Sequence, residues 1–167
     1  VQTCALPIYI EFGCGGVIAR ETQAGHQAHF VVCSMGESGT NGTPKQRMAE
    51  AKKAAALLGA TIEFVDFGGD AHMEPRLAHT LKIARIIRRV RPRFVLAPTT
   101  TTNQHPDHIV VGQTVRHATR LARYGGVAEL KKQPRHLIEQ LLYYPVTVEA
   151  EMREQQPVLV DISSDRK

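Results

Sequence analysis

Short apolar runs and longer helix-period stretches alternate along this chain. Residues 27–34, Gln-Ala-His-Phe-Val-Val-Cys-Ser, form an apolar run that turns polar and Gly-rich at its end, which predicts a strand. Pro44 opens a stretch rich in Ala, Lys, Glu and Leu that Gly59 closes, which predicts a helix over 44–58. Thr61–Phe67 predicts the next strand, with Gly68–Gly69–Asp70 as its loop. A helix over 74–90 follows, with Leu77, Thr80, Leu81, Ala84 and Ile87 as its apolar stripe. Arg91–Pro92 ends it, Phe94–Ala97 predicts a short buried strand, and a helix from Pro106 to Tyr124 stops before Gly125–Gly126. Residues 1–9 hold the place of a first strand, and 10–24 that of a first helix carrying Gly13, Gly15 and Gly16. Near the other end Leu137–Tyr144 is apolar, and Pro157 precedes a last predicted strand, Val158–Ile162. Strands and helices alternating at this spacing predict an α/β fold, with a mostly parallel sheet covered on both faces.

A chain of 167 residues suits one domain over 1–167. Its last strand leaves an edge uncovered, which predicts that a C-terminal portion is missing. No apolar run reaches membrane-span length, and no basic-then-apolar leader opens the chain. Cys4, Cys14 and Cys33 have neither the count nor the spacing of a disulfide framework, so reduced thiols in a cytoplasmic protein are expected. Charge changes the picture in one place only. Between Pro75 and Pro106 lie seven basic residues and no acidic one. The periodicity places Lys82, Arg85 and Arg89 on one solvated helix face, so no nucleic-acid partner is expected. Five Phe, four Tyr and no Trp also make a poor stacking platform for bases.

Ligands of open parallel sheets sit beyond the carboxyl ends of the strands. The strongest local signal at that edge is His105–Pro106–Asp107–His108, on a loop entering a helix. Two imidazoles three apart can approach one centre, one to ligate zinc and the other to stabilise an oxyanion, with Asp107 orienting a ring. The same residues also suit an exposed helix start, and two histidines are too few for a catalytic zinc site. Glu37 and Arg47 could bind a polar substrate, although Arg47 and Glu50 could instead pair on the helix surface. Gly13–Cys14–Gly15–Gly16 lacks the dinucleotide fingerprint and suits close helix–sheet packing instead.

Several stretches together resemble the PIG-L/LmbE family of zinc-dependent deacetylases. They are Ile10–Glu11–Phe12–Gly13–Cys14–Gly15–Gly16, Gly36–Glu37–Ser38–Gly39–Thr40–Asn41–Gly42–Thr43–Pro44 and His105–Pro106–Asp107–His108, with Leu141–Tyr144 and Val160–Asp161–Ile162 behind them. The resemblance implies a Rossmann-like fold without a nucleotide, and deacetylation of an N-acetylglucosamine-like acetamido-sugar conjugate. Relatives act in glycolipid synthesis and in the bacterial bacillithiol and mycothiol pathways. It further implies a bound zinc ion, with His108 as a ligand, His105 as the oxyanion-stabilising residue and Asp107 as its orienting partner. A possible homo-oligomer is the partner expected besides the sugar.

The chain departs from the family at one motif. Where the family reads Ala-His-Pro-Asp-Asp, this sequence reads Ala5–Leu6–Pro7–Ile8–Tyr9. Leu6 and Tyr9 stand at the other two zinc-ligand positions and Ile8 at that of the general base. Three explanations stay open: residues 1–9 are not the natural sequence, the protein has diverged into an inactive sugar-binding or structural relative, or a rearranged site still works. Glu11 is a carboxylate near the replaced motif, at a position that is not a ligand in the family.

Overall fold

The structure is a computed structural model. It describes residues 2–5, 9–152 and 154–163, with the backbone alone for 2–5 and Tyr9. Its strands are β1 (Gln2–Ala5), β2 (Ala28–Val32), β3 (Ala60–Phe64), β4 (Phe94–Pro98) and β5 (Gln140–Tyr144). They form one sheet in the order β3-β2-β1-β4-β5, parallel throughout. The helices are α1 (Tyr9–Gln23), α2 (Pro44–Leu57), α3 (Leu77–Val90) and α4 (Pro106–Arg123). The chain steps outward from β1 through β2 to β3, then crosses to the other side of β1 at β4. That reversal leaves a crevice at the carboxyl ends of β1 and β4, the place where such sheets take ligands.

The two-residue period of the strands sorts the core into two layers. Phe30 and Val32 of β2 and Leu96 of β4 pack with Ile10, Cys14 and Ile18 of α1 and Ala55 of α2. Val31 lies between Phe30 and Val32, and with Val95 and Ala97 it packs on the opposite face, against Ile83 and Ile87 of α3 and Val111 and Val115 of α4. The architecture is therefore the three-layer α/β sandwich that the alternation of periods predicts.

Glycines set how closely the first layer approaches. A Cβ on Gly13 would come within 2.2 Å of a Tyr144 ring carbon, and one on Gly16 within 2.5 Å of Ile162 Cδ1. Both positions of α1 thus serve close packing. Cys14 and Cys33 are buried and form no disulfide among the described residues; the side chain of Cys4 lies outside them.

The structure corrects the sequence at three points. The third helix begins at Leu77 and not at residue 74, because Glu74 precedes Pro75 and a residue before proline is held out of the α region. Leu77, expected in the apolar stripe, is 64% exposed on that first turn. Val158–Ile162 forms no strand; Ile162 packs on α1 and Arg20 donates to the Asp161 carbonyl, while Leu159 stays 89% exposed. Lys82, Arg85 and Arg89 are exposed as expected, whereas Arg88, which the sequence assigns to no face, is 3% exposed. Its guanidinium donates to the carbonyls of Leu121, Ala122 and Tyr124 at the end of α4, and to those of Leu130 and Gln133 beyond it. It closes the unsatisfied end of one helix from inside another.

Candidate functional site

Three loops meet at the carboxyl edge of the sheet: 33–43 after β2, 65–76 after β3 and 99–105 after β4. Each is tied down by its own polar side chains. In the first loop, the Glu37 carboxylate accepts from the Met35 amide at 3.2 Å and from the Asp70 amide of the second loop at 3.1 Å. Arg47 reaches back from α2 to donate to the Asn41 carbonyl at 2.8 Å, and it pairs with Glu50 at 3.1 Å. Thr43 and Gln46 form a reciprocal cap at the start of α2, which fixes where this loop ends. Thr99 and Thr101 both donate to the Ala150 carbonyl, and the Gln104 amide donates to Thr99 and Thr101, so the third loop is equally braced.

His105 caps the amino terminus of α4, its Nδ1 accepting from the Asp107 amide at 3.3 Å. In the neutral ring that bond assigns the proton to Nε2, which remains as a donor on an exposed residue. His108 lies one turn on, 4% exposed, with its ring 5.8 Å from that of His105. Asp107, 2% exposed, turns its carboxylate to the second loop, accepting from Ala71 N at 2.6 Å and Met73 N at 3.4 Å. The buried carboxylate thereby holds Ala71 at φ +63°, a left-handed conformation unusual for a residue with a Cβ. It is a loop anchor in this structure.

Electrostatics separates these groups. Burial, reinforced by neighbouring His105, pulls the His108 imidazole down to about 4, while Asp107 opposes the shift. The ring is therefore neutral at physiological pH. A depressed folded-state value stabilises the fold fully above the ordinary value of 6.5, and that contribution is lost as pH falls toward 4. In urea titrations at stepped pH, His108→Gln should lose less stability over that interval than the parent, by on the order of 1–2 kcal/mol after solvent screening. Parallel pH curves for the two proteins would contradict this. Asp70 stands among the same groups. Burial and then the Asp107 carboxylate raise its carboxyl above the usual range, while His105 pulls it down.

The sequence identified His105, Asp107 and His108 and placed Asp70 only in a loop. The signal available was Gly68–Gly69, whose φ values of +100° and +96° turn the chain just before Asp70, which feels the charges of Asp107 and His105. Glu37 and Arg47 are brought to the site's edge, with their polar atoms engaged in the loops. Leu6 and Ile8 lie outside the described residues, as does the side chain of Tyr9. Glu11 sits in the first turn of α1, and its Oε2 is buried with no hydrogen-bond partner among the described residues.

The family profile of the GlcNAc-PI de-N-acetylases, PIG-L, matches residues 10–119. The chain belongs to this family. The match begins immediately after the replaced motif and takes in every loop of the site. A 4-oxalmesaconate hydratase of Pseudomonas putida is 32% identical over 124 residues, 67% of this chain and 48% of the hydratase. The conserved protein TT1542 of Thermus thermophilus superposes with a TM-score of 0.77 at 31% identity, over 86% of this chain and 65% of that one. The N,N'-diacetylchitobiose deacetylase of Pyrococcus horikoshii superposes at 0.76 with 21% identity, over 86% and 59%, a likeness of fold. The chain thus spans about half the length of the curated relative it matches.

The zinc centre that PIG-L membership implies does not fit the donors present. Among the described residues no group of three or more His, Cys, Asp or Glu could hold a metal ion. Asp107 is committed to two backbone amides and His105 to its cap, and His108 is a buried, neutral imidazole. Leu6 and Ile8 are hydrocarbon side chains and supply no donor atom. Among the described residues no helix is long and apolar enough to cross a membrane.

Proposed function

We propose that this chain, with the residues it carries, binds an acetamido-sugar-type ligand at the carboxyl edge of β1 and β4 and does not hydrolyse it. The donor set carries this reading: a neutral His108 and a donor-bearing His105 are present, and the remaining ligands and base are not. Hydrolysis of an amide requires an activated water, a polarised carbonyl and an acid for the leaving amine. His105 Nε2–H can donate to the carbonyl oxygen of an acetamide, and the Asp70 carboxyl can meet a sugar hydroxyl. Nothing in the described site takes a proton from water in the manner of the family's base. Glu37 and Arg47 act on such a ligand through the loops they hold. Buried Cys14 and Cys33, without a disulfide among the described residues, suit a reducing, cytoplasmic setting.

Calorimetry with N-acetylglucosamine, run beside an acetate-release assay, tests the proposal. Saturable binding with no acetate is expected. A triple variant, Leu6→His with Ile8→Asp and Tyr9→Asp, should gain zinc and release acetate. Acetate release by the unaltered chain that disappears in His105→Ala would contradict the proposal, as would a folded chain that binds no sugar.

The hydratase relative supports a second reading, water addition to an unsaturated carboxylate. Its sequence identity to this chain exceeds that of the chitobiose deacetylase, and one family fold hosts both reaction names. Turnover of 4-oxalmesaconate by the unaltered chain would favour it.

A further inference from the structure

A groove of about 550 Å³ runs between α3 and α4, on the outer layer of the sandwich and apart from the sheet-edge site. Its volume lies in the range of small-molecule sites. Leu77, Leu121 and the ring of Tyr124 give it apolar walls, and Leu77 and Tyr124 are 64% and 45% exposed. Tyr124 is held in place from below, because its carbonyl accepts from buried Arg88 at 2.6 Å. Arg120 and His117 stand on the rim, while Arg76 at one end is already paired with Glu74. No carboxylate side chain lines the groove.

Apolar walls and a cationic rim free of acids in one concavity complement a small organic anion.

We propose that the α3–α4 groove binds a small organic anion with a flat apolar body, of the aromatic carboxylate or sulfonate class. The ring system lies against Leu77, Leu121 and Tyr124. Its anionic group meets Arg120. Neither His105 nor His108 takes part, so this site stands or falls separately from the sugar site.

Anilinonaphthalene sulfonate serves as the probe, with its fluorescence titrated against the folded protein. One saturable site is expected. Arg120→Gln should weaken it roughly fivefold, the effect of losing one partly solvated ion pair. Leu77→Glu, at an exposed position, should abolish it by placing a carboxylate on the wall. His105→Ala should leave it unchanged, as should Leu159→Ser, which removes a strongly exposed apolar side chain elsewhere. Saturable binding that survives both groove variants would overturn the proposal. So would binding lost in Leu159→Ser, no saturable binding by protein with an intact circular-dichroism spectrum, or equal binding of the uncharged anilinonaphthalene.

Discussion

Arg88→Met should cost about 3–4 kcal/mol of folding stability, a large share of the 5–15 kcal/mol typical of a domain. The five carbonyls that the guanidinium serves lie at the end of α4 and in the segment after it. Methionine fills much of the volume but satisfies none of them, and several would stay buried without a donor. Arg88→Lys separates charge from geometry. An ammonium cannot span five acceptors in the fork that a guanidinium presents, so the Lys variant should recover only part of the loss. Urea denaturation followed by circular dichroism gives both values from the shift in midpoint at constant slope. A loss below about 1 kcal/mol for Arg88→Met would mean that water replaces the guanidinium at those carbonyls.

The second large effect is expected at Gly112, where α4 crosses the end of β4. A Cβ there would sit 2.5 Å from the Pro98 carbonyl oxygen and 3.3 Å from that of Thr99. Both atoms are backbone and cannot swing aside, so the helix itself must move. Alanine favours a helix interior over glycine by about 1 kcal/mol, whereas overpacking of this kind costs roughly 1–3 kcal/mol or more. The overpacking should win, with Gly112→Ala destabilising by about 2 kcal/mol net. It should also weaken sugar binding, because α4 carries His105 and His108 at its start. Gly15→Ala is the matching control, since among the described residues only Glu11 Cβ, at 3.8 Å, stands within 4 Å of its Cβ. That variant should be neutral or slightly stabilising. Equal effects at the two glycines would show that packing against β4 does not position α4.

Most of the architecture was legible in the sequence, because it rests on periodicity and on glycine and proline punctuation. Pro44, Gly59, Pro92 and Pro106 mark element ends, and β2 and β4 stand out as apolar runs between them. What could not be read there depends on partners distant in the chain. Arg88 looks like its neighbours Arg85 and Arg89, and only the packing of α3 on α4 makes it a buried cap. Val158–Ile162 has strand composition, yet a strand also needs a hydrogen-bonding neighbour, and here Ile162 rests on Gly16 of a helix instead.

The candidate site divides in the same way. His105 and His108 were visible as a local motif, and helix geometry brings their rings together. Asp107 was visible too, although its bonds to Ala71 and Met73 come from a loop more than thirty residues earlier. Glu37 likewise reaches Asp70 across the same interval. Family resemblance named the positions where ligands belong; the chemistry of Leu6 and Ile8 showed that this chain does not fill them.

Zinc per folded chain, by elemental analysis after dialysis against trace zinc, tests that central claim most directly. The incomplete donor set predicts a ratio near zero for the chain as it stands, rising toward one in the Leu6→His, Ile8→Asp, Tyr9→Asp variant. A ratio near one in the unaltered chain, lost on His108→Gln, would contradict it and establish a rearranged metal centre around His108.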